Sequence, residues 1–213
     1  MIKLITLDFD GTTANTMPTL EQIAVRLMTN HYSLEKAEAV EKYRMTTGLP
    51  FEQQIELLFP EEEQNQTVIA QFEKEKIERI FDLPLFPDAK ETINYLQNHN
   101  FLVAISSSTF QATIEEYCRL KGLEVDQILG YAKGFEKGKD HFDFLMKKFN
   151  LTPEEIIYVG DSLKDCERAQ GSNILFIAKI GMFSKEQFDS ISESKLAIYS
   201  LSELKDLVWT LND

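Results

Sequence analysis

Two aspartates, Asp8 and Asp10, follow the short apolar run from Ile2 to Leu7. Residues i and i+2 of a strand share a face, so both carboxylates are expected to project into one site. Two carboxylates that close repel unless a cation joins them or one takes a proton. A single aspartate at a strand end is ordinarily a cap or an Asx-turn residue, which accounts for one of this pair well and for two poorly. A second acidic group, Gly160-Asp161-Ser162 with Asp165 on the next turn, follows another apolar run. Capping explains Asp161 alone, and a solvated helix face explains Asp165 alone. Beside the first pair, capping is the weaker account of Asp161. These four carboxylates form an oxygen-rich cluster with no histidine in either segment, and hard oxygen donors select Mg²⁺ over zinc.

Other groups suit an anion. Ser106-Ser107-Ser108-Thr109 follows the strand-like Phe101 to Ile105 and is expected to open a helix. A helix N-terminus offers unpaired N–H groups to a phosphate, and a hydroxyl adds a donor. Capping by itself explains one hydroxyl of the four. Lys133, Lys137 and Lys139 form the best positive patch, and a solvated loop is the ordinary reading of any one of them. His31, His99 and His141 do not cluster and receive no metal role. Cys118 and Cys166 read as core residues of helices.

The elements that must position these groups alternate. Strands are expected at 2–7, 101–105, 127–131, 156–159, 174–178 and 196–199. Helices are expected at 88–98, 110–121, 140–149, 163–170 and 201–211, with a brief turn at Thr152-Pro-Glu-Glu155. Such alternation means an α/β fold with a mostly parallel, Rossmann-like sheet covered on both faces. Ligands of such sheets bind outside the carboxyl ends of the strands. Between about residues 16 and 82 the character changes to Glu, Gln, Lys, Leu and Ile. Four helices are expected there, at 21–29, 34–43, 51–59 and 61–81, broken by Gly48-Leu-Pro50 and Phe59-Pro60.

Composition excludes several classes. The chain has 213 residues, 43% hydrophobic, enough for a large core. With 22 basic and 35 acidic residues the formal charge is −13, which disfavours nucleic acid and anionic membranes as partners. Two cysteines exclude a disulfide framework. The N-terminal apolar run is too short for a signal peptide, and no stretch approaches a membrane span. A soluble cytoplasmic protein is the expectation.

Taken in order, these segments resemble the haloacid dehalogenase superfamily. Asp8-Phe-Asp-Gly-Thr12 is similar to its first motif, Ser107 after V-A-I-S to its second, a lysine of Lys137-Gly-Lys139 to its third, and Gly160-Asp-Ser-Leu-Lys-Asp165 to its fourth. Lys137 fits the family's distance to Asp161 better than Lys139. Asn15 and Thr16 stand where the family commonly has Asp and Ser. The resemblance implies a core domain of residues 1–14 and 83–213 and an inserted α-helical cap of the C1 type at 15–82.

It further implies a Mg²⁺-dependent phosphatase acting on a small phosphorylated metabolite. Asp8 would be the nucleophile and Asp10 the acid and base. Ser107, Lys137, Gly11, Thr12 and Ser108 would lie at the phosphate. Asp8, Asp10 (through its backbone carbonyl), Asp161 and Asp165 would lie at the metal, Asp165 positioning Lys137 or a metal-bound water. A phosphoglycolate-phosphatase-like hydrolase fits best. The nearest alternative is a phosphomutase of the β-phosphoglucomutase kind. Its cap arginine after a glycine is replaced here by Phe51, although Arg44 is near. Arg26, Lys42, Arg44 and Gln53 are the cap residues that could choose the leaving group. A signalling receiver domain is disfavoured because Ser106–Ser108 stand where its phosphoacceptor aspartate belongs. A non-catalytic phospho-ligand sensor would be expected to lose Asp8, Asp10 or Asp161, and all three are present.

Overall fold

The computed structural model describes residues 1–212; Asp213, the last residue of the expected core range, lies outside them. The chain divides into two compact units, Met1–Asn15 with Pro84–Asp213, and Thr16–Leu83.

The first unit is a six-stranded sheet in the order β3-β2-β1-β4-β5-β6, every pairing parallel. The strands are β1 Leu4–Leu7, β2 Leu102–Phe110, β3 Gln127–Tyr131, β4 Ile156–Gly160, β5 Leu175–Lys179 and β6 Leu196–Ile198. β1 lies centrally, with Leu4 in register with Leu102 on one side and Ile156 on the other. All four of its residues are buried, as a parallel strand covered on both faces requires. The strand order reverses beside β1, and ligands bind at such switch points.

The helices of this unit are α5 Ala89–Asn98, α6 Gln111–Lys121, α7 Lys139–Phe149, α8 Leu163–Gln170, α9 Lys185–Asp189 and α10 Leu204–Thr210. The i, i+3, i+4 spacing of Phe142, Leu145 and Met146 is realised in α7. Phe142 and Leu145 are buried in one core cluster with Leu4, Ile156, Tyr158 and Phe176. α6 ends at Gly122, whose left-handed φ of 59° favours glycine. The short α9 is unanticipated; Ser184 caps it by accepting from the Gln187 N–H.

The largest departure from expectation lies at β2. It does not stop at Ile105 but continues through Ser106–Thr109, and α6 begins at Gln111. Ser106 pairs with Leu129 and Phe110 with Tyr131, so the serine run forms a bulge rather than a helix N-terminus. β-branched and small residues beside a partner strand keep the ladder going, and the bulge re-aims their side chains.

The second unit is built from α1 Met17–Tyr32, α2 Lys36–Thr46, α3 Phe51–Leu58 and α4 Asn65–Ile80. α1 begins earlier than expected because Pro18 is accommodated in its first turn. Two stacked aromatic pairs anchor this unit, Tyr32 on Phe59 and Phe51 on Phe72, each with centroids 3.7 Å apart. Among the described residues no helix is long and apolar enough to cross a membrane.

Candidate active site

β1 delivers Asp8 to the carboxyl edge of the sheet, where its N–H still donates to the Val159 carbonyl at 2.8 Å. The strand then ends in a tight turn. The Phe9 carbonyl accepts from the N–H groups of Thr12, Thr13 and Ala14 at 3.3, 3.0 and 2.9 Å. Gly11 enters the left-handed region at φ 82°, which a side chain would resist. The two carboxylates take different partners at this edge: Asp8 meets Lys137, and Asp10 accepts from the Thr109 hydroxyl at 2.6 Å while adding to the repulsion felt by Asp161.

The centre of the site is a buried chain of charges. Lys137 Nζ lies 2.8 Å from Asp8 Oδ1 and 2.7 Å from Asp165 Oδ1. Asp161, directly after β4, joins them; carboxylate oxygens of Asp8, Asp161 and Asp165 lie within 4.8 Å of one another. Asp10's side chain is not in that group, so the expectation that Asp10 reaches a metal rests on its backbone carbonyl. Asp165 is in the group but its oxygens are engaged. Oδ1 also accepts from the Tyr158 hydroxyl at 2.8 Å, and Oδ2 accepts from the Ser162 hydroxyl at 2.7 Å. Asp165 thus lies both on Lys137 and within the acidic group that could hold a metal ion. Gly160 permits it: a Cβ there would fall 2.6 Å from Asp165 Cβ.

Of the other expected groups, Ser107 is buried and its hydroxyl accepts from the Thr109 N–H at 3.0 Å. Ser108, next in the same bulge, is half-buried. Thr12 is buried and its hydroxyl has no hydrogen-bond partner among the described residues. Lys139 is exposed and pairs with Asp143, outside the charged chain. Three residues were missed. Tyr158 looked like one more apolar strand residue. His141 is fully buried, its Nδ1 2.8 Å from the Ser106 hydroxyl. Lys179 ends β5, and its Nζ donates to the Gly11 carbonyl at 3.3 Å. The available signal for Lys179 was a lone cation closing an apolar strand at the ligand-binding edge.

Burial dominates the electrostatics. It pushes the Asp8 carboxyl well above the usual range, Asp165 and Asp161 adding repulsion and Lys137 opposing it. Burial and Asp165 push Asp161 up to about 7, against Lys137 and Lys179. Burial also works to raise Asp165, but Lys137, Arg168 and the donated hydrogen bonds win and hold it below the usual range. Burial lowers His141 to about 4, with Lys137 acting in the same direction. Asp8 and Asp161 are thus carboxylates short of positive charge. An all-oxygen, buried donor set with that deficit fits a hard divalent cation such as Mg²⁺.

Comparison with known proteins gives the same frame. Residues 5–179 match the family model described as haloacid dehalogenase-like hydrolase. A haloacid dehalogenase-like hydrolase domain-containing protein of Arabidopsis thaliana is 24% identical, over 98% of this chain and 84% of its own. The structure of a predicted phosphatase from Clostridium acetobutylicum superposes with a TM-score of 0.81 at 17% identity, covering 99% of each chain. That of a predicted phosphoglycolate phosphatase from Haemophilus somnus gives 0.73 at 19% identity, covering 97% of this chain and 98% of that one. At such identities these structures speak for the fold, while the family model spans most of the chain and its sequence motifs; this protein belongs to the haloacid dehalogenase-like hydrolases.

Proposed function

We propose that this hydrolase cleaves small phosphate monoesters through a phosphorylated Asp8. The observation that carries the reading is the buried Asp8–Lys137–Asp165 chain with Asp161 beside it, at the carboxyl edge of β1 and β4. A carboxylate oxygen of Asp8 attacks phosphorus in line, forming the Asp8–phosphorus ester as the bond to the leaving oxygen breaks. Asp10, oriented by Thr109, gives its proton to the departing alkoxide. It later takes a proton from the water that attacks the phosphorus, releasing inorganic phosphate and restoring Asp8. Lys137 neutralises charge on the non-transferring oxygens, held in place by Asp165. Ser107, Ser108, Gly11 and Thr12 are assigned to the same oxygens. Asp8, Asp161 and the Asp10 backbone carbonyl would hold Mg²⁺, which when bound offsets the repulsion between the Asp8 carboxylate and a phosphate dianion.

The helical unit, inserted after the first motif, is assigned the role of the family's cap and the choice of leaving group. The mutase alternative draws less support. Phe51, at the position of the expected arginine, is buried and stacked on Phe72, and Arg44 is forked onto Glu21. The test is phosphate release from p-nitrophenyl phosphate and a panel of metabolite monophosphates including phosphoglycolate, with Mg²⁺, with EDTA and with Asp8→Asn. Mg²⁺-dependent release lost in Asp8→Asn supports the reading. Release that persists in Asp8→Asn overturns it.

A further inference from the structure

Lys179 has no part in the reaction as described, yet it is only 4% exposed. A buried ammonium is costly unless its surroundings compensate it. Here the compensation is specific. Its Nζ donates to the Gly11 carbonyl at 3.3 Å and lies 3.6 Å from the centroid of the Phe86 ring. The sheet register explains how it gets there. Gly160 of β4 pairs with Ala178 of β5, so Asp161 and Lys179 leave neighbouring strands side by side.

The partner of Lys179 is the informative part. Gly11 follows Asp10 directly and has the conformational freedom of a residue without Cβ. The peptide units flanking a glycine in a turn can rotate cheaply, and rotation at Gly11 would swing Asp10. On the Asp10 side, Thr109 holds the carboxylate at 2.6 Å. On the other side, the Gly11 N–H donates to Ala14 at 2.9 Å, and its carbonyl is held by Lys179. Phe86, against which Lys179 lies, donates its own N–H to the Thr13 carbonyl at 3.0 Å. One side chain thus fastens β5, the returning chain at Phe86 and the turn after Asp10.

We propose that Lys179 is a positioning residue that holds the Asp10–Gly11 turn in the conformation from which Asp10 transfers its proton. The inference rests on the assignment of Asp10 as the acid. It makes a demand that a merely structural lysine does not make. Loss of Lys179 must matter in proportion to how badly the leaving group needs a proton. An alkyl phosphate leaves as a strongly basic alkoxide, whereas p-nitrophenolate leaves without help.

The experiment compares Lys179→Met, Lys179→Arg and Asp10→Asn on p-nitrophenyl phosphate, phenyl phosphate and an alkyl monophosphate. Hydrogen exchange of the 9–15 segment is measured in parallel. In Lys179→Met, kcat is expected to fall at least about tenfold more for the alkyl ester than for the nitrophenyl ester, as loss of general acid catalysis requires. KM should change little and exchange at 9–15 should quicken. Lys179→Arg, which keeps charge and donors, is expected to recover part of the selective loss. A uniform loss across leaving groups, or unchanged exchange at 9–15, overturns the proposal. If Asp10→Asn itself shows no dependence on the leaving group, the acid assignment fails rather than the role of Lys179. Should Lys179→Met not fold, Lys179→Gln is read in the same way.

Discussion

The two units of this chain treat their charges in opposite ways. In the sheet unit, Asp8, Lys137, Asp161, Asp165 and Lys179 are all buried and lean on one another. In the helical unit, the arginines reach outward to glutamates: Arg26 to Glu75 and Arg44 to Glu21, with the arginine side chains 42% and 46% exposed. Its interior is mainly aliphatic, with Ile23, Leu27, Met28, Ile55 and Val68 buried beside the stacked Phe51 and Phe72. Removing charges from water opposes folding unless they are well paired, while exposed pairs do little either way. The first unit therefore carries a buried cluster of opposed charges that stability alone would not select, whereas in the second Lys76 is the buried charged residue among those described.

The strongest way to break this contrast is at Asp8. Asp8→Asn is expected to reduce phosphate release by about a thousandfold or more, because the nucleophile is lost. It should leave the fold intact by circular dichroism, since Lys137 keeps Asp165. Normal turnover in this variant would mean that the buried cluster is structural. Next in size is Gly160→Ala. The added methyl must push Asp165 off Lys137, so a loss of about 1–3 kcal/mol in denaturant titration is expected, with lower activity. A neutral result would show that the Asp165 contact is slack.

A smaller effect sharpens the comparison through pH. Asp161 titrates near 7 when folded, against a usual carboxyl value near 4 in the unfolded chain. Its contribution to stability is whole below about 4 and is lost as pH rises through about 7. A divalent cation that needs Asp161 ionised should then stabilise the protein more at pH 8 than at pH 6. At ten times its Kd the expected gain at pH 8 is about 1.4 kcal/mol, read as a rise in Tm. A gain that shrinks with rising pH would remove Asp161 from the metal assignment. The smallest effect belongs to the helical unit: Arg44→Ala should cost less than about 1 kcal/mol, as exposed pairs do. A larger cost would mean that this unit, too, depends on its charges.

The alternation of strands and helices was legible because parallel strands buried on both faces appear as short apolar runs between amphipathic segments. Asp8 and Asp161 were legible for a related reason, since each directly follows a strand that ends at the same edge, whereas Lys137 was chosen over Lys139 only through the family resemblance. What was not legible depended on contacts between distant segments. Nothing local distinguishes Ser106–Thr109 as a bulge in β2 from the start of α6, because the deciding partner is β3. The partner of Asp10, the Thr109 hydroxyl, lies 99 residues away in the chain. Lys179 and His141 acquire their meaning only from Gly11 and Ser106, far away in the chain.

The backbone between Thr13 and Asn15 runs beside that between Pro84 and Phe86. The Asn15 N–H donates to Pro84 at 2.9 Å, the Phe86 N–H donates to Thr13 at 3.0 Å, and Ala14 bridges Leu85. The whole of Thr16–Leu83 is therefore a loop whose mouth the sheet unit already closes. Loop-closure entropy grows only as the logarithm of length, so inserts of different size impose similar costs on such a mouth. The same pairing makes the insertion point exchangeable. A short turn joining Asn15 to Pro84 should let the sheet unit fold by itself, and an unrelated domain whose own ends lie close together should be accepted there. Selection could then vary the insert without rebuilding the catalytic edge.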